Sequence, residues 1–229
     1  MPRETARGPV RIADGTLEAI KWLGLLLMTG DHINKYALHE SARALFDAGR
    51  LVMPMFGFVL SYNLARVAAA ARGLYGRMLR RILVVGALSS PAFVALGGLL
   101  WGWWPLNIFF ELGGTVAVVW CWQTEKLWWR VAAAVTFILV GSSVEFWWPA
   151  LGMNLCFVRF FHTGRYRWFA LAGLLCSTLM IVNSNEWALA AFPVLWALSK
   201  VELPVRRVRW AFYAYYPALL YGLLAWRLA

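Results

Sequence analysis

The sequence is short of charge. Asp, Glu, Lys and Arg make up 14% of its 229 residues, against about 25% in soluble globular domains. Acids are scarcest, with 11 Asp and Glu against 22 Lys and Arg. There are three histidines and three cysteines, and Cys121, Cys156 and Cys176 all lie inside apolar runs. An odd number of cysteines so placed argues against a disulfide framework, and no paired Cys/His spacing suits a metal. No H-E-x-x-H, G-x-S-x-G or phosphate-loop pattern occurs. Neither an internal repeat nor a pair of Gly/Pro-broken helices is evident, which weakens a secondary-transporter reading.

What fills the chain is apolar: 62% hydrophobic residues and a mean hydropathy of +0.61. A spanning helix needs about 20 apolar residues. The length therefore allows about nine or ten crossings and no separate soluble catalytic domain. We expect an all-α polytopic membrane helix bundle, a single integral membrane domain over 1–229 with 1–15 as a cytoplasmic tail. The first apolar run continues into Asp31-His32 without a small-residue cleavage site, unlike a signal peptide.

Apolar runs between charge and turn signals predict nine crossings, beginning with Thr16–Ala37, Phe46–Ala70, Arg81–Leu100 and Leu106–Trp122. Leu127–Ser142, Trp147–Phe160, Tyr166–Val182, Trp187–Leu198 and Trp210–Leu228 follow. The tail and the even-numbered loops then hold 17 of the 22 basic residues. That alternation puts the N-terminus in the cytoplasm by the positive-inside rule. It also explains a net charge of +11, which in a soluble protein would suggest nucleic acid; none is expected here. Trp101, Trp103, Trp104, Trp147, Trp148 and Trp187 mark one interface, and Trp122, Trp128, Trp129, Trp168 and Trp210 the other.

Against this frame a few polar residues stand out, because ionisable groups at membrane depth are costly. Asp31-His32 closes the first apolar helix, and Gly49-Arg50 opens the second. Asn107 and Glu111, four apart, share a face of the fourth, Ser89-Ser90-Pro91 interrupts the third, and Asn154 is isolated in the sixth. The predicted topology brings Asp31, His32, Arg50, Asn107 and Glu111 to one layer near the outer surface. His32, with an ordinary pKa near 6.5, is the candidate base. Either Asp31 or Glu111 could orient it. Asp31, His32, Arg50 and Glu111 are thus the candidate catalytic residues, and Asn107, Ser89, Ser90, Tyr36 and Tyr216 the candidate substrate-binding ones. On the basic side, Arg77, Arg80, Arg81 and Arg159 could hold a polyphosphorylated donor such as coenzyme A, although topology and lipid headgroups already account for such charges.

The run Leu17-Glu18-Ala19-Ile20-Lys21-Trp22 through Leu27-Met28 to Asp31-His32-Ile33 resembles the opening signature of the TraX family, which includes TrbP-type members. The second block, Gly49-Arg50-Leu51-Val52-Met53-Pro54-Met55-Phe56-Gly57-Phe58, is similar to that family's Gly-Arg…Pro-x-Phe-x-Phe segment. Arg80 through Ser89-Ser90-Pro91, Leu106-Asn107-Ile108-Phe109-Phe110 and Tyr215-Tyr216-Pro217 also match in order and spacing. One departure is Leu219, where relatives often carry a histidine; this puts more weight on His32. The resemblance implies a membrane protein encoded with conjugative pili, in the bacterial inner membrane. It implies pilin maturation: acetylation of the pilin N-terminal amine with acetyl-CoA as donor, in outline like the transmembrane acyltransferases. Closure of pilin into a ring, or a non-enzymatic role in pilin assembly, would leave the same sequence signals.

Overall fold

The computed structural model describes residues 10–66, 72–124, 126–208 and 210–229. Arg3 and Arg7 of the tail, the end of the second expected crossing and Arg209 lie outside these residues. The described chain forms nine helical rods. They are α1 Asp14–Tyr36, α2 Arg43–Ala65, α3 Arg72–Ala95, α4 Ile108–Trp122 and α5 Leu127–Ser143, then α6 Trp147–Thr163, α7 Tyr166–Asn183, α8 Trp187–Leu198 and α9 Ala211–Leu228. By length and composition α2, the Gly73–Ala95 part of α3, and α7 are long and apolar enough to cross a membrane; α4, α5 and α8 are apolar but shorter.

Most rods begin and end within a few residues of the apolar runs, because the same turn and cap residues stop both. Two starts differ. Helix α3 begins nine residues before the expected Arg81, so Arg77, Arg80 and Arg81 stand on helix rather than loop. A long arginine stem can lie along an apolar helix while its head stays in water, so the charge does not end the rod. Helix α1 begins at Asp14, and Thr16, expected as its start, instead donates through its hydroxyl to the Val201 carbonyl at 2.6 Å.

Cross-links define two ends. At one, Tyr62 bonds both backbone groups of Ile12, Arg66 pairs with Asp14 at 2.6 Å, and residues 201–203 bind Thr16. At the other, Arg227 reaches the Leu96 carbonyl, Trp104 reaches Ser142, and Leu106 forms a short bridge with Val144. The exposed arginines Arg77, Arg80, Arg81 and Arg159 lie toward the first end, and Asp31, Glu40, Asp47 and Glu145 toward the second.

Packing between the rods relies on aromatic edges and small residues. Phe58 meets Phe157 and Phe161 edge-on, joining α2 to α6. Asn154, fully buried, donates to Thr115 at 3.0 Å, while Ser61 donates to its backbone carbonyl at 2.9 Å. These bonds tie α2, α4 and α6 where no water competes. Gly57 faces this joint, and a Cβ there would overlap the Asn154 amide oxygen. Gly57→Ala should therefore lower stability by about 1–3 kcal/mol, the usual cost of overpacking, read as a lower melting temperature of the solubilised protein.

Candidate functional site

The C-terminal turn of α1, the start of α2 and the 143–146 strap enclose a cavity of about 120 Å³. Its wall carries Asp31, His32, Tyr36, Gly49, Arg50, Glu145 and Tyr216, with Lys35 and Glu40 exposed among the lining residues. Met28, Phe93 and Ile108 supply apolar lining.

His32 is held by geometry that fixes its proton. Its Nδ1 lies 2.9 Å from the Met28 carbonyl, one turn back on α1. A carbonyl only accepts, so in the neutral ring Nδ1 carries the hydrogen and Nε2 the lone pair. Nε2 makes no hydrogen bond with a described residue. The rings of Tyr36 and Tyr216 stand edge-on to the imidazole, each at 5.9 Å between centroids. Asp31 Oδ2 sits 3.8 Å from Nδ1, too far for a hydrogen bond.

Asp31 is primarily the partner of Arg50. The guanidinium donates to Asp31 Oδ1 at 2.6 Å, to the Phe46 carbonyl at 3.1 Å and to Asn183 Oδ1 at 3.3 Å. It also lies over the Phe46 ring at 4.2 Å. Three of its five N–H groups are thus engaged, which leaves two for a ligand. The pair forms because α2 starts almost in contact with α1: a Cβ on Gly49 would lie 2.5 Å from the Asp31 Cβ. The Asp-His and Gly-Arg segments, seventeen residues apart, are two halves of one clamp.

The rest of the expected layer is distributed differently. Asn107 caps α4, accepting from the Phe109 amide at 3.1 Å. Both hydrogens of its amide nitrogen are used, on the Gly86 carbonyl at 3.0 Å and Ser90 Oγ at 3.2 Å. Ser89 and Ser90 donate back to Val85 and Gly86 within α3, which runs through Pro91 to Ala95 instead of breaking. Asn107 and Ser90 therefore join α3 to α4, Ser89 bonds only within α3, and none of the three lines the cavity. Glu111 does not line it either. It is fully buried, one turn past Ile108, and neither carboxylate oxygen has a hydrogen-bond partner among the described residues. Its approach to His32, expected as one of two possibilities, is not made; Asp31 is the neighbour. Leu219, where a second histidine was of interest, packs against the core.

Glu145 is a cavity residue that the sequence did not disclose. The one available signal was an acid between two apolar runs at the end of the bundle where basic residues are scarce. Its carboxyl is half-buried, and burial pushes it above the ordinary carboxylate range; Lys35 and Arg50 oppose the shift, and Asp31 adds to it.

The four candidate donor-binding arginines are exposed and far from this cavity. Arg81 and the cavity residue Phe93 are twelve residues apart on α3, about 18 Å at 1.5 Å per residue. Arg81 stacks on Trp210 at 5.4 Å and Arg159 on Trp168 at 5.6 Å. None of the four pairs with a described carboxylate.

A family model described as TraX protein matches residues 16–227. The chain belongs to the TraX family. No curated protein and no solved structure matches it. Membership makes it a membrane protein with a pilin-related role in conjugative transfer. The matched region contains the whole cavity wall, in which this chain's Asp-His and Gly-Arg segments place one imidazole between two tyrosines beside an ion-paired arginine.

Proposed function

We propose that this TraX-family protein is a multi-pass enzyme of the bacterial inner membrane that acetylates the N-terminal amine of conjugative pilin, with acetyl-CoA as donor. The observation that carries the reading is His32: Nδ1 committed to the Met28 carbonyl, Nε2 left with its lone pair, and the ring lining a cavity. That is the arrangement a general base needs. In the positive-inside orientation, the arginine-bearing end faces the cytoplasm and the cavity opens on the other side, where a processed pilin presents its amine.

Donor acetyl-CoA supplies a thioester carbonyl. The chain's own residues do the rest. His32 Nε2 takes a proton from the attacking nitrogen as the C–N bond forms and the C–S bond breaks, and returns it to the departing sulfur. Arg50, with two N–H groups to spare, polarises the carbonyl oxygen. Asp31 keeps the guanidinium in place and stabilises the imidazolium. Among the described lining residues there is no Ser, Thr or Cys, which supports direct attack by the amine over a route through an ester of one of those residues. Arg77, Arg80, Arg81 and Arg159 would hold the donor's phosphates by charge.

The deciding experiment is intact-mass analysis of pilin from cells with and without the protein. An added acetyl mass that depends on the protein supports the reading. Loss of one water would make the reaction ring closure, and an unchanged mass with less pilin would make the protein an assembly factor. A second expectation concerns the donor: replacing Arg80 and Arg81 with glutamate should raise KM for acetyl-CoA about tenfold or more and leave KM for pilin unchanged, measured by initial rates in membranes.

A further inference from the structure

Three carboxylates line the cavity, and they are not equivalent. Asp31 is neutralised by Arg50 at 2.6 Å. Glu40 is exposed. Glu145 is half-buried and makes neither a hydrogen bond nor an ion pair through its side chain with any described residue. Nothing in the catalytic assignment above uses it.

Its position is nevertheless specified. Leu106 donates to the Ser143 carbonyl at 2.8 Å, and the Glu145 amide donates to the Leu106 carbonyl at 3.1 Å. Val144, between them, is fully buried and bridges Leu106. Two residues later Trp147 takes φ +56°, a left-handed conformation costly for a bulky side chain, as the strap turns into α6. The backbone is thus fixed on both sides of a carboxylate that has no partner of its own. A half-buried anion without a partner is unfavourable unless something cationic occupies the space beside it.

We infer that Glu145 receives the ammonium group of the substrate, so that the cavity selects polypeptides with a free N-terminal amine. This rests on the reading of the cavity as the transfer site. The division of labour is physical: Glu145 binds the amine in its charged form, the ammonium's extra proton is lost to solvent at the exposed side of the cavity beside Lys35 and Glu40, and His32 Nε2 stays free to take the second proton as the C–N bond forms. An α-amino group, with an ordinary pKa near 7.7–8.0, suits that exchange better than a lysine side chain near 10.4. Lys35 is the competing cation. It also lines the cavity but stands exposed, without an ion pair to a described carboxylate.

The test is binding of a synthetic peptide carrying the mature pilin N-terminus to the full-length protein in lipid nanodiscs, with the N-acetylated peptide as comparison. The wild type should prefer the free amine. Glu145→Gln should weaken free-amine binding about tenfold to a hundredfold, leave the acetylated peptide unaffected, and be partly rescued by Glu145→Asp. The same loss should persist in a Lys35→Met background. Equal binding of the free amine by the wild type and Glu145→Gln would overturn the inference. So would equal losses for both peptides, or disappearance of the effect with Lys35→Met, which would make Glu145 a structural counter-ion. Binding requires no donor, so the outcomes separate: amine preference without any acetyl mass on pilin overturns the reaction and leaves Glu145's role standing. Acetylated pilin with unaltered Glu145→Gln affinity overturns the role of Glu145 alone.

Discussion

Replacing His32 with alanine should leave a folded, membrane-inserted protein whose transfer rate falls about 10²–10⁴-fold, the usual contribution of a positioned base. Pilin recovered from such cells should carry its unmodified mass. The separation of function from folding follows from the contacts. His32 makes one hydrogen bond, to a carbonyl of its own helix, and its ring rests edge-on against two tyrosines. Alanine removes no inter-helix hydrogen bond and leaves the Asp31–Arg50 pair intact. His32→Gln sharpens the result: an amide can still donate to Met28, but it has no basic nitrogen. If His32→Gln retained the acetyl mass on pilin at the wild-type rate, another group would have to be the base.

The second large effect is expected at a residue with no side chain. A Cβ on Gly49 would meet the Asp31 Cβ, Cγ and Oδ1 at 2.5–2.6 Å, far inside van der Waals contact. Asp31 is short and sits on a helix, so it cannot swing clear and still reach Arg50. Gly49→Ala must therefore part α1 from α2 or turn the carboxylate away, and in either case Arg50 loses its counter-ion. Removing one partner of a fully buried pair costs about 3–5 kcal/mol. Both groups here keep some solvent contact, which screens the interaction, so about 2 kcal/mol is expected. Activity should fall with it, because the guanidinium loses the anchor that aims it at the cavity. The control is Gly222→Ala on α9, where a Cβ would have nothing within 4 Å. There the better helix propensity of alanine should leave the protein equal or slightly stabilised. Thermal unfolding in detergent and pilin mass, measured together for both variants, give the comparison. Equal stability and activity for Gly49→Ala and the wild type would disprove the clamp.

Of the bundle, the rods and their order were legible in the sequence, since apolar length and the spacing of turn residues act locally along the chain. The largest boundary difference, at α3, has one cause. Arginines on α3 look like a loop in one dimension, yet a helix accommodates them by extending their stems along its surface. Of the site, Asp31, His32, Arg50, Tyr36 and Tyr216 do converge. Ser90 and Asn107 spend their hydrogen bonds holding α3 to α4, and Ser89 spends its own within α3. Glu111 shows the limit most clearly. A carboxylate in an apolar helix signals something unusual, but which way it faces depends on how α4 rotates against its neighbours, and it does not face the cavity.

Composition and spacing by themselves determined an apolar, all-helical chain, the charge difference between its two ends, and the Asp-His and Gly-Arg segments. Which of the scarce polar groups meet was decided only by tertiary packing. The proton on Nδ1 of His32 is assigned by a backbone carbonyl, the freedom of Arg50 to bind a ligand by the partners it already has, and the placement of Glu145 by a bridge from Val144 to Leu106. Each depends on distances of a few ångströms between residues remote in sequence or on backbone atoms, and residue identity alone does not encode them.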